Sequence, residues 1–287
     1  MYTVAGVTGN VGSAVARALL DAGAPTTVLV RDPAAGRSWQ ERGAEVRVVD
    51  LRDRSALAAV LRDSTGFFTL LPFSPAVPDI AGDQAALTTS IAGAVADSGV
   101  PHVALLSSLG ADLEHPPQVV AWLRDLEQRL GATGTILSAV RCTHFQEKVA
   151  ETLGPATADG AYPVFASRAD VPVPMVAARD VGALVAGILM APPTRSQVVD
   201  VLGPAVTEQE VATALGRALG STLEVVVVPR EAWTATLVSA GLPPRAAELL
   251  AELYDAGDRG LLVPAGDRLL EAGTPVAETI DAMLARV

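Results

Sequence analysis

The stretch Met1-Tyr-Thr-Val-Ala-Gly6-Val-Thr-Gly9-Asn-Val-Gly12 decides how the rest of the chain is organised. Its first part, residues 2–5, is a short run that predicts a buried strand. Three glycines follow at a spacing of three residues. Apolar residues then recur at helical spacing from Val11 onward, which predicts that a helix begins at once.

A strand, a glycine turn and a helix in this order are typical of a dinucleotide-binding site. One glycine permits the tight turn, a second lets the backbone approach a diphosphate, and a third lets helix and strand pack closely. The pattern is Gly-x-x-Gly-x-x-Gly rather than Gly-x-Gly-x-x-Gly, so an ordinary glycine-rich turn is the alternative. We expect the turn to bind a dinucleotide through Gly6, Thr8, Gly9, Asn10, Val11 and Gly12.

Composition limits the remaining classes of function. The 287 residues are 50% hydrophobic and carry a net charge of −11, which argues against nucleic acid as a partner. Cys142 is the single cysteine, so no internal disulfide can form and a reducing compartment is expected. No apolar run reaches membrane-spanning length, and no metal-ligand spacing occurs. We therefore expect a cytoplasmic protein with a small-molecule substrate, without membrane or metal, and a homodimer is possible.

The order of predicted elements favours an α/β fold. Strands are predicted at 26–30, 45–49, 66–71, 103–106, 135–140, 198–202 and 223–228, and helices at 57–61, 84–96, 116–130, 179–190 and 207–219. This alternation is typical of a doubly wound parallel Rossmann sheet. We predict a dinucleotide-binding domain at 1–153, to which 178–202 return. Residues 154–177 and 203–287 are predicted to form a smaller, mostly helical C-terminal substrate lobe.

Residues at the predicted strand ends suggest the kind of dinucleotide. Arg31 ends the second strand, where an NAD site usually has an acidic residue and where an arginine suits the 2′-phosphate of NADP(H). Arg37 lies close enough in sequence to help, whereas Asp32 complicates the prediction. Asp50 is predicted either to meet the adenine or to cap the next helix. The other strand-end residues assigned to the cofactor are Leu51, Leu70, Leu71, Pro72 and Ser107.

Taken together, several motifs resemble the NmrA-like group of atypical short-chain dehydrogenases. They are the glycine turn, Leu-Val-Arg31-Asp-Pro, Val-Asp50-Leu-Arg-Asp, Arg141-x-x-x-Phe145-x-Glu147, Ala-Arg-Asp180-Val-Gly and Leu-Gly-Pro204-x-x-Thr207-x-x-Glu210. The resemblance covers nearly the whole chain. It implies a Rossmann fold and NADP(H), and it implies either a reductase of quinones or related aromatic compounds or a cofactor-sensing regulator.

The chain departs from this pattern at the catalytic dyad. Short-chain dehydrogenases often use Tyr-x-x-x-Lys, but the dyad positions here are Val119 and Leu123. The family's usual Arg-Pro is Arg141-Cys142, and its usual Glu-Asn is Glu147-Lys148. Lys148, the single lysine of the chain, is expected to contact a cofactor phosphate or ribose, or to belong to a solvated face.

Other residues are candidates for chemistry. His144 follows the predicted sixth strand and titrates in the working range, although a packed loop histidine is the alternative. Ser107 is assigned as a catalytic or substrate-orienting residue. The predicted substrate pocket comprises Ser108, Phe145 and Trp233.

Three hypotheses about function follow. The first is an NADPH-dependent reductase that transfers a hydride to a quinone or related conjugated carbonyl, which needs little acid catalysis. The second is a non-catalytic NADP(H)-sensing regulatory protein. The third is a non-redox enzyme that keeps the dinucleotide fold.

Overall fold

In a computed structural model, which describes residues 1–285, strands and helices alternate through most of the chain. The strands are β1 (Tyr2–Val4), β2 (Thr26–Val30), β3 (Glu45–Val48), β4 (Gly66–Thr69), β5 (His102–Ser108), β6 (Ile136–Cys142), β7 (His144–Phe145), β8 (Ala161–Val164), β9 (Val173–Val176), β10 (Gln197–Leu202), β11 (Ala205–Val206), β12 (Glu224–Val227) and β13 (Arg268–Glu271). The helices are α1 (Asn10–Asp21), α2 (Arg37–Glu41), α3 (Arg54–Leu61), α4 (Ile80–Ser98), α5 (Gln118–Gly131), α6 (Leu153–Ala158), α7 (Ala178–Met190), α8 (Glu208–Leu219), α9 (Trp233–Ser239), α10 (Pro244–Asp258) and α11 (Val276–Leu284). Short 3₁₀ helices span Pro33–Gly36, Gln146–Thr152 and Arg230–Ala232.

The central sheet has eight parallel strands in the order β13-β10-β6-β5-β4-β1-β2-β3. Helices α1 and α7 cover one face, and α3, α4 and α5 cover the other. The predicted doubly wound Rossmann sheet is therefore confirmed. In such a sheet, ligands bind at the carboxyl ends of the strands, where the strand order reverses.

Burial on both faces explains the sequences of the central strands. All five residues of β2, Thr26–Val30, are buried, and so are all four of β4, Gly66–Thr69. Strands covered on both faces do not alternate between apolar and polar residues. The continuous β-branched and aromatic runs that predicted these strands are the result.

A smaller layer lies beyond the central sheet. It contains a three-stranded sheet, β11-β9-β7, and a two-stranded sheet, β12-β8. Its apolar cluster joins α8 and α11 to these strands through Val211, Leu215 and Ile280. Helix α8 begins as predicted, because Thr207 and Glu210 form a reciprocal capping box.

Three elements differ from the sequence predictions. Helix α4 begins at Ile80 rather than 84, because the Asp79 carboxylate accepts the N–H of Gly82 and caps the helix there. Helix α6 lies at the start of the segment 154–177, for which no helix was predicted. No strand was predicted after residue 228, but β13 pairs with β10 and extends the central sheet.

The carboxylate of Asp200 explains the position of β13. Asp200 lies in β10, is 1% exposed, and accepts the N–H groups of Ala265 and Gly266 at 2.7 and 2.6 Å. These bonds hold the segment before β13 against the sheet. Residues 268–271 thus belong to the central sheet, although they lie inside the range assigned to the smaller lobe.

Candidate functional site

The glycine turn follows β1 at the carboxyl edge of the sheet. Gly6 has a φ of +69°, a left-handed conformation that favours glycine. A Cβ at Gly12 would overlap the backbone carbonyl of Gly6, and a Cβ at Gly6 would overlap the side chain of Leu70. Both glycines are therefore required by the protein itself.

Gly9 is a glycine for a different reason. Its φ of −100° and ψ of 177° are open to any residue, and a Cβ there would meet only the Gly6 carbonyl oxygen, at 3.4 Å. Neither conformation nor packing demands glycine at this position. The absent side chain instead leaves open space in front of α1, as the close approach of a diphosphate requires.

The N-terminus of α1 is prepared for an anion. Its N-cap residue, Gly9, offers no side-chain acceptor, and the first turn holds no acidic residue. Within residues 1–285, the N–H groups of Asn10, Val11 and Gly12 have no hydrogen-bond acceptor, whereas the N–H of Ser13 donates to the Gly9 carbonyl at 3.2 Å. Free N–H groups and the positive end of the helix dipole together attract phosphate.

A cleft of about 280 Å³ opens above this turn. Its walls come from the glycine turn, the ends of β4 and β5, and the segment that follows β6. The lining residues are Gly6, Gly9, Asn10, Val11, Gly12, Leu70, Leu106, Phe145, Glu147, Lys148 and Glu151. The open cradle over Gly9 and the free N–H groups fit the diphosphate part of a dinucleotide.

The residues assigned to the cofactor divide into two groups. Gly6, Gly9, Asn10, Val11, Gly12 and Leu70 line the cleft, and Thr8 is exposed in the same turn. The second group does not line the cleft; it comprises Arg31, Arg37, Asp50, Leu51, Leu71, Pro72 and Ser107. Leu51 and Leu71 are buried in the cluster under α3 and α4, and Pro72 accepts a hydrogen bond from Gln84 at 2.8 Å.

The charged residues after β2 and β3 have distinct surroundings. Arg31 and Arg37 are exposed, and no ion pair to either is present within residues 1–285. The carboxylate of Asp32 accepts the N–H of Ala34 at 2.9 Å and caps a 3₁₀ helix. Asp50 accepts the N–H of Arg52 at 2.9 Å, so it closes the turn after β3. The N-cap of α3 is Asp53 rather than Asp50.

Ser107 does not face the cleft. It is 5% exposed, and its hydroxyl donates to the Glu127 carboxylate at 2.5 Å. Arg141 donates to both oxygens of the same carboxylate, at 3.0 and 2.7 Å, and to Asp112 at 3.1 Å. The structure thus places Ser107, which the sequence predicted as a catalytic and cofactor-binding residue, in a buried contact between β5 and α5. Leu106, one residue earlier, lines the cleft instead.

His144 and Phe145 follow β6 as predicted. Phe145 lines the cleft and packs against the cluster beneath α1. His144 is exposed at the start of this segment, and within residues 1–285 its imidazole has no hydrogen-bond partner. The surrounding protein and then the charge of Lys148 lower the pKa of His144. The imidazole is therefore mostly neutral at pH 7.

The remaining pocket candidates lie elsewhere. Trp233 is 2% exposed and its indole N–H donates to the Val228 carbonyl at 2.8 Å, so it is buried and lies outside the cleft lining. The hydroxyl of Ser108 donates to the Leu109 carbonyl at 3.0 Å. Cys142 is 3% exposed, and burial together with the charge of Asp200 raises the pKa of its thiol. A buried, protonated thiol is a poor nucleophile.

Two charged residues that line the cleft, Glu147 and Glu151, were not predicted as site residues, whereas Lys148 was considered for a cofactor phosphate or ribose. Glu147, Lys148 and Glu151 lie on the 3₁₀ helix Gln146–Thr152, hereafter the cleft 3₁₀ helix, and all three line the cleft. Glu147 accepts the N–H of Ala178 at 2.9 Å and thereby caps α7. Their position directly after β6, at the carboxyl edge, was the signal in the sequence.

The cleft 3₁₀ helix is held from the C-terminal side of the chain. The amide of Gln146, which is 2% exposed, donates to the carbonyls of Met175 and Thr274 at 2.9 and 2.8 Å and accepts from Thr279. Thr274 also bonds through its N–H and hydroxyl to the carboxylate of Asp180, at 3.0 and 2.7 Å. The Ala-Arg-Asp180 motif therefore fixes the segment that supports the cleft.

Two further observations concern the described part of the chain. Across residues 1–285, no three His, Cys, Asp or Glu side chains come together in a metal-binding arrangement. In the same range, no helix combines the length and the apolar character needed to cross a bilayer.

The fold is of the Rossmann type, and the cleft has the features of a dinucleotide-binding site. The chain belongs to the NmrA-like family, whose model matches residues 2–260. The NAD(P)H azoreductase of Xenophilus azovorans is 30% identical over 255 residues, which are 88% of this chain and 86% of the azoreductase. The (4-alkanoyl-5-oxo-2,5-dihydrofuran-3-yl)methyl phosphate reductase of Streptomyces griseus is 31% identical over 272 residues, 92% of this chain and 90% of that reductase.

Solved structures show the same fold at lower identity. The triphenylmethane reductase of Citrobacter sp. superposes with a TM-score of 0.81 and 22% identity, covering 99% of each chain. The NADPH-dependent quinone oxidoreductase of Escherichia coli superposes with a TM-score of 0.79 and 22% identity, covering 99% of this chain and 100% of the other.

Proposed function

We propose that this protein is an NADPH-dependent reductase that transfers a hydride to a conjugated or aromatic acceptor, such as a quinone, without a Tyr/Lys dyad. The observation that carries the proposal is the cleft, in which free N–H groups and the open space over Gly9 lie beside apolar walls at the carboxyl edge. The two relatives near 30% identity, named as an azoreductase and a reductase of an unsaturated lactone, support reduction of conjugated acceptors.

Preference for NADPH over NADH follows from the residues after β2. Arg31 and Arg37 present exposed guanidinium groups, which suit a 2′-phosphate. The Asp32 carboxylate, which in an NAD site would accept from the ribose hydroxyl, is engaged with the N–H of Ala34.

The chain's own groups bind and orient rather than donate protons. When bound, NADPH supplies a hydride, and a quinone becomes a quinol after it takes up one further proton. The N–H groups of Asn10, Val11 and Gly12 hold the diphosphate, while Leu106 and Phe145 exclude water beside the acceptor.

The nearby groups are weak acids. The pKa of His144 is lowered, so its imidazole is mostly neutral at pH 7. The dyad positions Val119 and Leu123 pack in apolar clusters under α10 and α4. An acceptor whose reduced oxyanion is delocalised needs little acid catalysis, so we expect quinones rather than simple ketones to be reduced.

The test follows the absorbance of NADPH, with NADH in parallel, against quinones, azo dyes, enones and simple ketones. We expect oxidation of NADPH well above NADH, with quinones or azo dyes and not with ketones. Tight binding of NADPH without oxidation by any acceptor would instead favour an NADP(H)-sensing protein, for which the apolar dyad positions are the supporting observation. Absence of NADPH binding would refute both.

A further inference from the structure

We propose that Lys148 binds the diphosphate of the dinucleotide and closes the phosphate site opposite the N-terminus of α1. This assignment rests on the proposed function, because it adds one residue of the chain to the dinucleotide site. Lys148 is the single lysine of the chain.

Lys148 lies where a diphosphate would need it. It lines the same cleft as Gly9, Asn10 and Val11, on the wall formed by the cleft 3₁₀ helix. Among the residues that line this cleft in the described chain, it is the one cation. A phosphate held by the N–H groups of α1 would thus lie between the helix dipole and an ammonium group.

The two other charged residues that line the cleft are both acidic. Glu147 and Glu151 both line the cleft, and like charges there would oppose a diphosphate. Glu147 is fixed, because its carboxylate accepts the N–H of Ala178 at 2.9 Å. Lys148 lies on the same wall and would offset part of the repulsion that these carboxylates exert on the ligand.

The ammonium group is held ready by Glu151. The Nζ of Lys148 lies 3.0 Å from the Glu151 carboxylate, one turn along the cleft 3₁₀ helix, and the Lys148 side chain is 38% exposed. A pair that is open to solvent contributes little and exchanges easily. We infer that Lys148 leaves Glu151 for the more highly charged diphosphate when the dinucleotide binds.

Direct binding measurements on the full chain test this assignment without turnover. The ligands are NADPH, 2′-phospho-ADP-ribose, which has the diphosphate but no nicotinamide, and adenosine 2′-monophosphate, which lacks the diphosphate. We expect Lys148→Met and Lys148→Asn to raise the Kd of the first two by about 10-fold and to leave the third unchanged. The salt dependence of NADPH binding should weaken in the same variants.

Two further variants complete the design. Arg129→Met is the matched control, since Arg129 forms a similar exposed helical pair with Asp125 at 2.9 Å but does not line the cleft. It should bind all three ligands normally. Glu151→Gln should bind NADPH as tightly as the unmodified protein or more tightly, because it frees Lys148 and removes a repulsive charge.

The outcomes separate this assignment from the proposed function. If the unmodified protein binds NADPH and Lys148→Met binds it equally well, the assignment is overturned and the proposed function stands. If Lys148→Met weakens NADPH but not 2′-phospho-ADP-ribose, Lys148 meets the nicotinamide end and the assignment is again wrong. If Glu151→Gln loses as much affinity as Lys148→Met, the ion pair and not Lys148 carries the effect. If the unmodified protein does not bind NADPH, both proposals fail.

Discussion

Replacing Gly9 by alanine should weaken NADPH binding while leaving the fold intact. The backbone angles at Gly9, a φ of −100° and a ψ of 177°, are open to alanine. A methyl group there would touch only the Gly6 carbonyl oxygen, at 3.4 Å. Because alanine is a poorer N-cap residue than glycine, we expect the free energy of unfolding to fall by about 1 kcal/mol.

The effect on binding should be larger than the effect on folding. The new methyl group would occupy the space through which the diphosphate approaches the N–H groups of α1. Overpacking by one methyl group costs about 1–3 kcal/mol, which is about 5- to 150-fold in Kd. Quenching or enhancement of NADPH fluorescence gives the Kd, and urea unfolding without ligand gives the stability.

Gly12→Ala is the matched control within the same turn. A Cβ at Gly12 would overlap the backbone carbonyls of Gly6 and Ala5, which cannot move aside as a side chain would. We expect this variant to lose about 3 kcal/mol of stability before any ligand is added. The reasoning is refuted if Gly9→Ala binds NADPH normally, or if it unfolds as readily as Gly12→Ala.

Three other predictions concern His102, the buried pair of Glu127 and Arg141, and Arg31. His102 is 1% exposed, and burial lowers its pKa to about 4. Below about pH 6.5 the unfolded chain therefore takes up a proton that the folded chain does not. We expect the free energy of unfolding to fall by about 2 kcal/mol between pH 7 and 5. Urea unfolding of His102→Gln should lack most of that loss, and an unchanged pH dependence would contradict the assignment. Glu127→Leu should lower the free energy of unfolding by about 3–5 kcal/mol, because it leaves the buried Arg141 without its bidentate partner. The double variant Glu127→Leu/Arg141→Met should recover most of this loss. A Glu127→Leu variant within about 1 kcal/mol of the unmodified protein would exclude this account. Arg31→Ala should raise the Kd of NADPH about 10-fold and leave that of NADH unchanged in parallel titrations, whereas equal losses would show that Arg31 does not meet the 2′-phosphate.

Local patterns in the sequence predicted the central sheet well. The glycine turn, the β-branched run of β2 and the capping box at Thr207 each depend on neighbours a few residues away. β13 was missed because its pairing with β10 is distant in sequence and its short segment is mostly exposed.

In the candidate site, too, features that depend on nearby residues were predicted and features that depend on distant ones were not. Gly6, Gly9 and Gly12 could be assigned from spacing, because their roles follow from backbone geometry. Ser107 was placed in the pocket because it follows an apolar strand, but alternation along β5 turns it toward Glu127 and turns Leu106 to the cleft. Which face a strand residue takes depends on the register of the sheet, and one sequence does not give that register.

The hydrogen bond between Gln146 and Thr274 determines when the cleft can be completed during synthesis of the chain. The two residues are 128 positions apart, so the ribosome must add all the intervening residues before the bond can form. The sheet from β1 to β6 can assemble earlier, since all six strands lie within the first 142 residues. A nascent chain released or cut before Thr274 would hold the glycine turn and the contacts of the cleft 3₁₀ helix with Met175 and Ala178, but would lack its contacts with Thr274 and Thr279. Completion of the ligand site is thus a late event of translation, and a ribosome-bound chain arrested after β10 should gain no protection from NADPH against proteases.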